Sequence, residues 1–87
     1  MSRKPIRHKI KILPKYYNQI FIRPGEGCKR FELRKDDRDY QVGDTVTLQE
    51  WDPEQGYTGN EITVGIIYVL RNCPEYGLMD GYCIFGW

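Results

Sequence analysis

The chain is poor in the residues from which common catalytic centres are assembled. His8 is the single histidine among 87 residues, so a Cys–His or Ser–His nucleophilic pair would have to use it. No Walker A, GxSxG or HExxH pattern occurs. The three cysteines, Cys28, Cys73 and Cys83, are odd in number and contain no CxxC pair. With His8 they would make four zinc ligands, but structural zinc sites show close ligand pairs on a knuckle. Reduced thiols that pack as small apolar residues are expected instead, with no metal and no other cofactor. No apolar run approaches the ~20 residues of a membrane span. The first seven residues are basic but lack the apolar stretch of a leader peptide. A cytoplasmic protein without a membrane partner is therefore expected.

What is present bounds the fold. Eighty-seven residues make one domain with a modest core. A hydrophobic fraction of 40% and twelve aromatic residues are enough to fill it. The net charge of +1 conceals an asymmetry. Residues 1–38 carry twelve basic and four acidic side chains, a balance of +8, and residues 39–87 carry one basic and eight acidic, a balance of −7. Either the halves neutralise each other in a compact fold, or the N-terminal half makes a basic face suited to a polyanion.

Along the chain, residues 1–7 read as a flexible basic arm and residues 8–87 as the domain. Residues 8–13 alternate, with Ile10 and Ile12 on one face and Lys9 and Lys11 on the other, which predicts a strand. Pro14 suits a helix start, and Tyr17, Ile20 and Phe21 form an apolar stripe over 14–22. That helix is expected to plug one end of the fold. Residues 29–35 predict a second strand, with Phe31 and Leu33 opposite Arg30, Glu32 and Arg34. Seven charges between positions 32 and 40 then mark a polar loop, too mixed in sign for a disordered tail. Residues 45–51 predict a third strand and 52–60 a loop. Residues 61–71, nearly all apolar, predict the longest strand, buried on both faces and bent at Gly65. Residues 81–87 predict the last. The expected fold is mainly β (α+β), a small five-stranded β-barrel or strongly bent sheet with one or two short helices.

The candidate site residues lie on the second strand and around it. Lys29 and Arg34, with Lys11, supply positive charge for a phosphate or a carbonyl. Glu32 can accept from a base amino group such as cytosine N4, or form an ion-pair ladder with its neighbours and nothing more. A buried Glu32 beside Lys29 would alternatively serve in acid–base chemistry. Trp51, Tyr57 and Tyr40 flank loops and can stack on an unpaired base or pack a rim. Asp36, Asp37 and Asp39 suit turn and bracing roles and would repel a phosphate backbone.

Residues 8–17 and, more specifically, residues 29–44 resemble a bacterial and phage subgroup of the ASCH (activating signal cointegrator homology) domains of the PUA-like superfamily. Residues 48–52, the 57–59 loop, and 76–78 with Gly81 and Tyr82 follow in the order of that subgroup. The resemblance implies a small PUA-like β-barrel with short helices. It also implies an RNA-binding cleft beside the Gly-x-Lys-x-x-Glu-x-Arg pattern, which falls on Gly27, Lys29, Glu32 and Arg34. Some ASCH relatives are amidohydrolases of acetylated cytidine that use Lys, Thr and Glu, and others have been linked to ribonuclease activity. Here Lys29 matches the lysine, but Glu32 occupies the threonine's place, so the hydroxyl nucleophile is missing there. Arg30 likewise replaces a threonine common in the subgroup. The expectation is an RNA- or nucleotide-binding module. A small hydrolase working through Lys29 and Glu32, and an accessory module that binds another protein, are the alternatives.

Overall fold

The structure is a computed structural model and describes residues 4–87. The described residues form six strands, one α-helix and one 3-10 turn: β1 (Arg7–Ile12), α1 (Pro14–Gln19), β2 (Phe31–Lys35), β3 (Thr45–Asp52), β4 (Gly56–Gly65), β5 (Tyr68–Leu70), the 3-10 turn Pro74–Tyr76, and β6 (Tyr82–Gly86). They are arranged as two three-stranded sheets, ordered β1-β3-β4 and β2-β6-β5. In the first, β1 runs parallel to β3, and β4 runs antiparallel to it. The second sheet is antiparallel throughout. The fold is mainly β with few helices, as its composition predicts, but the strands do not close into a single barrel.

One segment explains both the extra strand and the open ladder. The apolar run expected as one buried strand breaks after Gly65, where the chain leaves the first sheet and enters the second. Ile66 is buried at the crossing, whereas Ile67 and Tyr68 are exposed. Backbone bonds tie this side together: Ile66 N–H to Asp44 O, Gly43 N–H to Ile66 O, and Ile67 N–H to Gly86 O, each 2.9 Å. Gly43 turns the chain into β3 with φ 96°, a conformation costly for any residue with a Cβ. β4 also begins earlier than expected. Its first residues, read as loop, pair with β3 after a tight turn in which Glu54 N–H bonds Asp52 Oδ1 (2.8 Å) and a bulge shifts the register between Gln49 and Trp51.

The opposite side is closed differently. β1 and β2 are both edge strands, and no backbone ladder joins them. Arg34 Nη2 donates to Lys11 O (2.5 Å) and Arg38 Nη1 to Lys9 O (2.8 Å). Two guanidinium groups thus satisfy carbonyls of β1 that a neighbouring strand would otherwise engage.

Between the sheets lies the core: Ile10 and Ile12 of β1, Tyr17 and Ile20 at the helix, Tyr40, Val46 and Leu48, Ile66, and Cys83 and Phe85 of β6. Cys83 is fully buried among them, a small apolar residue in practice. Helix α1 is shorter than its pattern, ending at Gln19, and Phe21 is exposed, edge-on to Tyr17 at 5.1 Å. Of the expected basic arm, residues 1–3 lie outside the described residues. Arg7 already belongs to β1, and Ile6 N–H donates to Asp44 Oδ1 (3.0 Å).

Candidate functional site

Strand β2 turns its apolar side chains outward and its acid inward. Phe31 and Leu33 point outward and are about half exposed, while Glu32 is 6% exposed. A carboxylate buried to this degree is costly unless paired and hydrogen-bonded. Here both oxygens are engaged. Lys29 Nζ lies 3.0 Å from Oε1, and Arg34 Nε donates to Oε2 at 2.7 Å. The Lys29 side chain is itself 12% exposed, so the centre of the triad is withdrawn from bulk water.

Local structure fixes each partner. After α1 the chain turns through Pro24 and Gly25, and Gly27 turns it again with φ 98°, left-handed geometry suited to glycine. Lys29 N–H then bonds Gln19 O (2.9 Å) and Cys28 Sγ bonds Ile20 O (3.4 Å), docking the segment against the helix. Gly27 contributes this turn and does not line the cleft. Arg30, expected on the same face as Glu32 and Arg34, instead donates through Nε to Trp87 O (2.9 Å).

The triad lies in a cleft of about 550 Å³ whose walls are Lys11 and Leu13, Tyr16 of α1, Phe31 and Leu33 of β2, and Trp51 of β3. Lys29 Nζ lies 4.8 Å from the Phe31 ring centre and 5.6 Å from that of Tyr16. Lys11 Nζ sits 4.1 Å from the Trp51 ring centre. A cation so placed is held by the negative face of the ring. The site therefore combines one carboxylate, three cations and three aromatic rings. It can accept from an amino group, donate to carbonyl or phosphate oxygens, and cover a flat ring.

Of the sequence candidates, the structure brings together Lys11, Lys29, Glu32, Arg34 and Trp51. Tyr40 does not join them as a stacking platform. It is 1% exposed, with its ring 4.7 Å from those of both His8 and Phe85, so it belongs to the core. Tyr16 and Phe31 were missed: Tyr16 lies outside the helix's apolar stripe, and Phe31 was read only as part of the face opposite Glu32. Alternation along β2 did show that Phe31 and Glu32 oppose each other.

The charged loop after β2 is a brace. Asp36 takes two bonds from Arg71, from Nε at 2.6 Å and Nη2 at 3.2 Å, and Arg71 also donates to Tyr40 O (2.7 Å). The Asp36 carboxylate raises the Arg71 pKa still further. Asp44, 1% exposed, accepts from His8 Nε2 (2.8 Å) and from the backbone N–H groups of Ile6 and Gln41. His8 is therefore a structural partner of Asp44 and lies away from the cleft.

Residues 7–87 match the model of a family described as a domain of unknown function, DUF3850. A relative described as an uncharacterised 12.9 kDa protein in the GpA 3′ region of Escherichia phage P2 is 42% identical over 60 residues, or 68% of this chain. The chain spans half the length of that relative.

Proposed function

The chain belongs to the DUF3850 family, and from the geometry of its cleft we propose a non-enzymatic site for an unpaired nucleobase of RNA or of a free nucleotide. The observation that carries this reading is Glu32, nearly buried between Lys29 and Arg34 and walled by Trp51, Tyr16 and Phe31. An ionised carboxylate has about four acceptor positions, and the two cations leave room for an exocyclic amino group. The neighbouring N–H donors suit the carbonyl and ring-nitrogen acceptors of the same base edge. Cytosine carries such a donor beside such acceptors. Aromatic walls suit a base that has left its stack, and stacking tolerates any base. Trp51 now carries the Lys11 ammonium, which an incoming base would displace toward its own phosphate.

The ASCH resemblance is part of this proposal. On it, the two sheets are an opened form of the PUA-like barrel, and Lys29, Glu32 and Arg34 are the binding half of the family pattern. Among the described residues lining the cleft there is no Ser, Thr, Cys or His. Both oxygens of Glu32 are already engaged by cations. This favours recognition over hydrolysis.

Equilibrium binding of short single-stranded RNA and of nucleotides at low salt tests the proposal. Trp51→Ala is expected to weaken binding about tenfold or more, in line with ~1–3 kcal/mol for one stacked base. Glu32→Gln is expected to shift base preference away from bases that carry an amino group. If the wild-type chain binds neither ligand, or both variants bind as it does, the proposal is wrong. Release of cytidine from acetylated cytidine, abolished by Glu32→Gln, would replace it with the hydrolase.

A further inference from the structure

A second groove opens between β1 and β2, on the side of the molecule that the arginine side chains close. It measures about 340 Å³ and is lined chiefly by Lys9, Lys11, Arg34, Lys35, Asp37 and Arg38. Lys11 and Arg34 line the cleft as well, so the two depressions meet at these residues. We propose that this groove carries the phosphodiester backbone of a single strand whose base occupies the cleft, so that the unit recognised is an oligonucleotide. This rests on the base-binding reading above and extends it.

Five cations face one acid in the groove. The other acids of the charged loop, which alone would repel a backbone, are turned to other work. Asp36 is bound by Arg71, and Asp39 accepts from Gln41 Nε2 (2.7 Å). Arg34 and Arg38 have a structural role, the capping of Lys11 O and Lys9 O. That capping also covers carbonyl oxygens that would oppose an anion. A guanidinium has five N–H donors, and Arg34 spends Nε and Nη2 on Glu32 and Lys11, which leaves donors for the groove. Lys9 and Lys35 are different. Both are exposed, and among the described residues neither has an acidic partner. Folding gives no reason for their convergence with Lys11 and Arg34. A polyanion running along the seam does.

The test compares the wild-type chain with the Lys9→Gln/Lys35→Gln double variant, using a ribo-hexamer, the matching deoxyribo-hexamer, inorganic phosphate, a poly-glutamate peptide and a free nucleoside. Each is titrated at about 50 and about 200 mM salt, because each phosphate contact on a single strand adds about 0.7 to the slope of log affinity against log salt. The double variant is expected to keep the wild-type melting temperature and to lose about 1.4 from that slope for the hexamers, two contacts' worth. Its affinity for the free nucleoside is expected to stay the same. Hexamer binding together with that loss of slope supports the proposal, and the ratio of the two hexamer affinities shows whether the ribose hydroxyl contributes. If the hexamer slope is unchanged in the double variant while Trp51→Ala still weakens binding, the groove is overturned and the cleft stands. If the wild-type chain binds neither hexamer nor nucleoside, both fall. Binding of phosphate or of the peptide in place of the hexamers overturns the nucleic-acid backbone as occupant.

Discussion

At the scale of single residues, two of the three buried carboxylates, Asp44 and Glu32, differ in kind. Asp44 is fully committed to the fold: it receives His8 and two backbone N–H groups and fixes both the entry to β1 and the turn before β3. Asp44→Ala leaves all three donors without their acceptor. It is expected to cost at least ~3 kcal/mol, the sum of several unmet buried groups. His8→Gln, which frees one acceptor position and keeps the rest, is expected to cost clearly less. Urea midpoints of the two variants check the order, and a reversal would mean that Asp44 is not the hub. Glu32 is committed to its two cations, but both retain some solvent. Glu32→Gln is therefore expected to cost about 2 kcal/mol, below the ~3–5 kcal/mol of breaking a fully buried pair. A stabilised Glu32→Gln variant would be the mark of a site strained for function, and the same urea titration distinguishes the two outcomes.

At the scale of elements, the unusual join is the one between β1 and β2. If the Arg34 and Arg38 guanidinium groups hold that seam, then Arg34→Ala/Arg38→Ala should raise amide hydrogen exchange in β1, while β3 and β4, paired by their own ladder, keep their protection. Unchanged exchange in β1 would show that its parallel pairing to β3 holds it unaided. The sequence made some of these elements legible and others not. β1 was readable because its alternation agrees with its burial, and β3 because β-branched and aromatic residues mark it. The start of β4 was not, because Gly56 and Gly59 look like loop residues and only the pairing of Gly56 and Tyr57 with Asp52 and Trp51 starts a strand there. Which face of β2 turns inward was not legible, because hydropathy scores residues singly. Glu32 is tolerable inside only with Lys29 and Arg34 beside it, a fact of three side chains together. The positions of Lys29, Glu32 and Arg34 were legible. That they meet over an aromatic-walled cleft was not, since Tyr16 and Trp51 arrive from other elements.

At the scale of the whole molecule, the charge asymmetry of the chain has a spatial outcome. The strands of the basic half, β1 and β2, are edge strands of different sheets, and they face each other. Their cations therefore gather along one seam, while strands of the acidic half fill the rest of both sheets. The core between those sheets encloses ionisable groups in their neutral form: the Cys83 thiol and the Tyr40 and Tyr17 phenols. Burial is the leading cause that pushes each pKa up, from ordinary values of 9.0 for the thiol and 10.0 for the phenols. A raised pKa means that the folded chain holds more protons than the unfolded one at alkaline pH. The stability from keeping these groups neutral is thus complete below pH 9 and is lost as pH climbs past about 9 for the thiol and about 10 for the phenols. Urea midpoints measured upward from neutral pH are expected to fall through that window. Tyr40→Phe conserves the ring that packs against His8 and Phe85 but removes the proton, and it should flatten the part of the decline above pH 10. An equally steep decline in Tyr40→Phe would assign the alkaline loss to the other buried groups, Cys83 and Tyr17, and remove Tyr40 from the account.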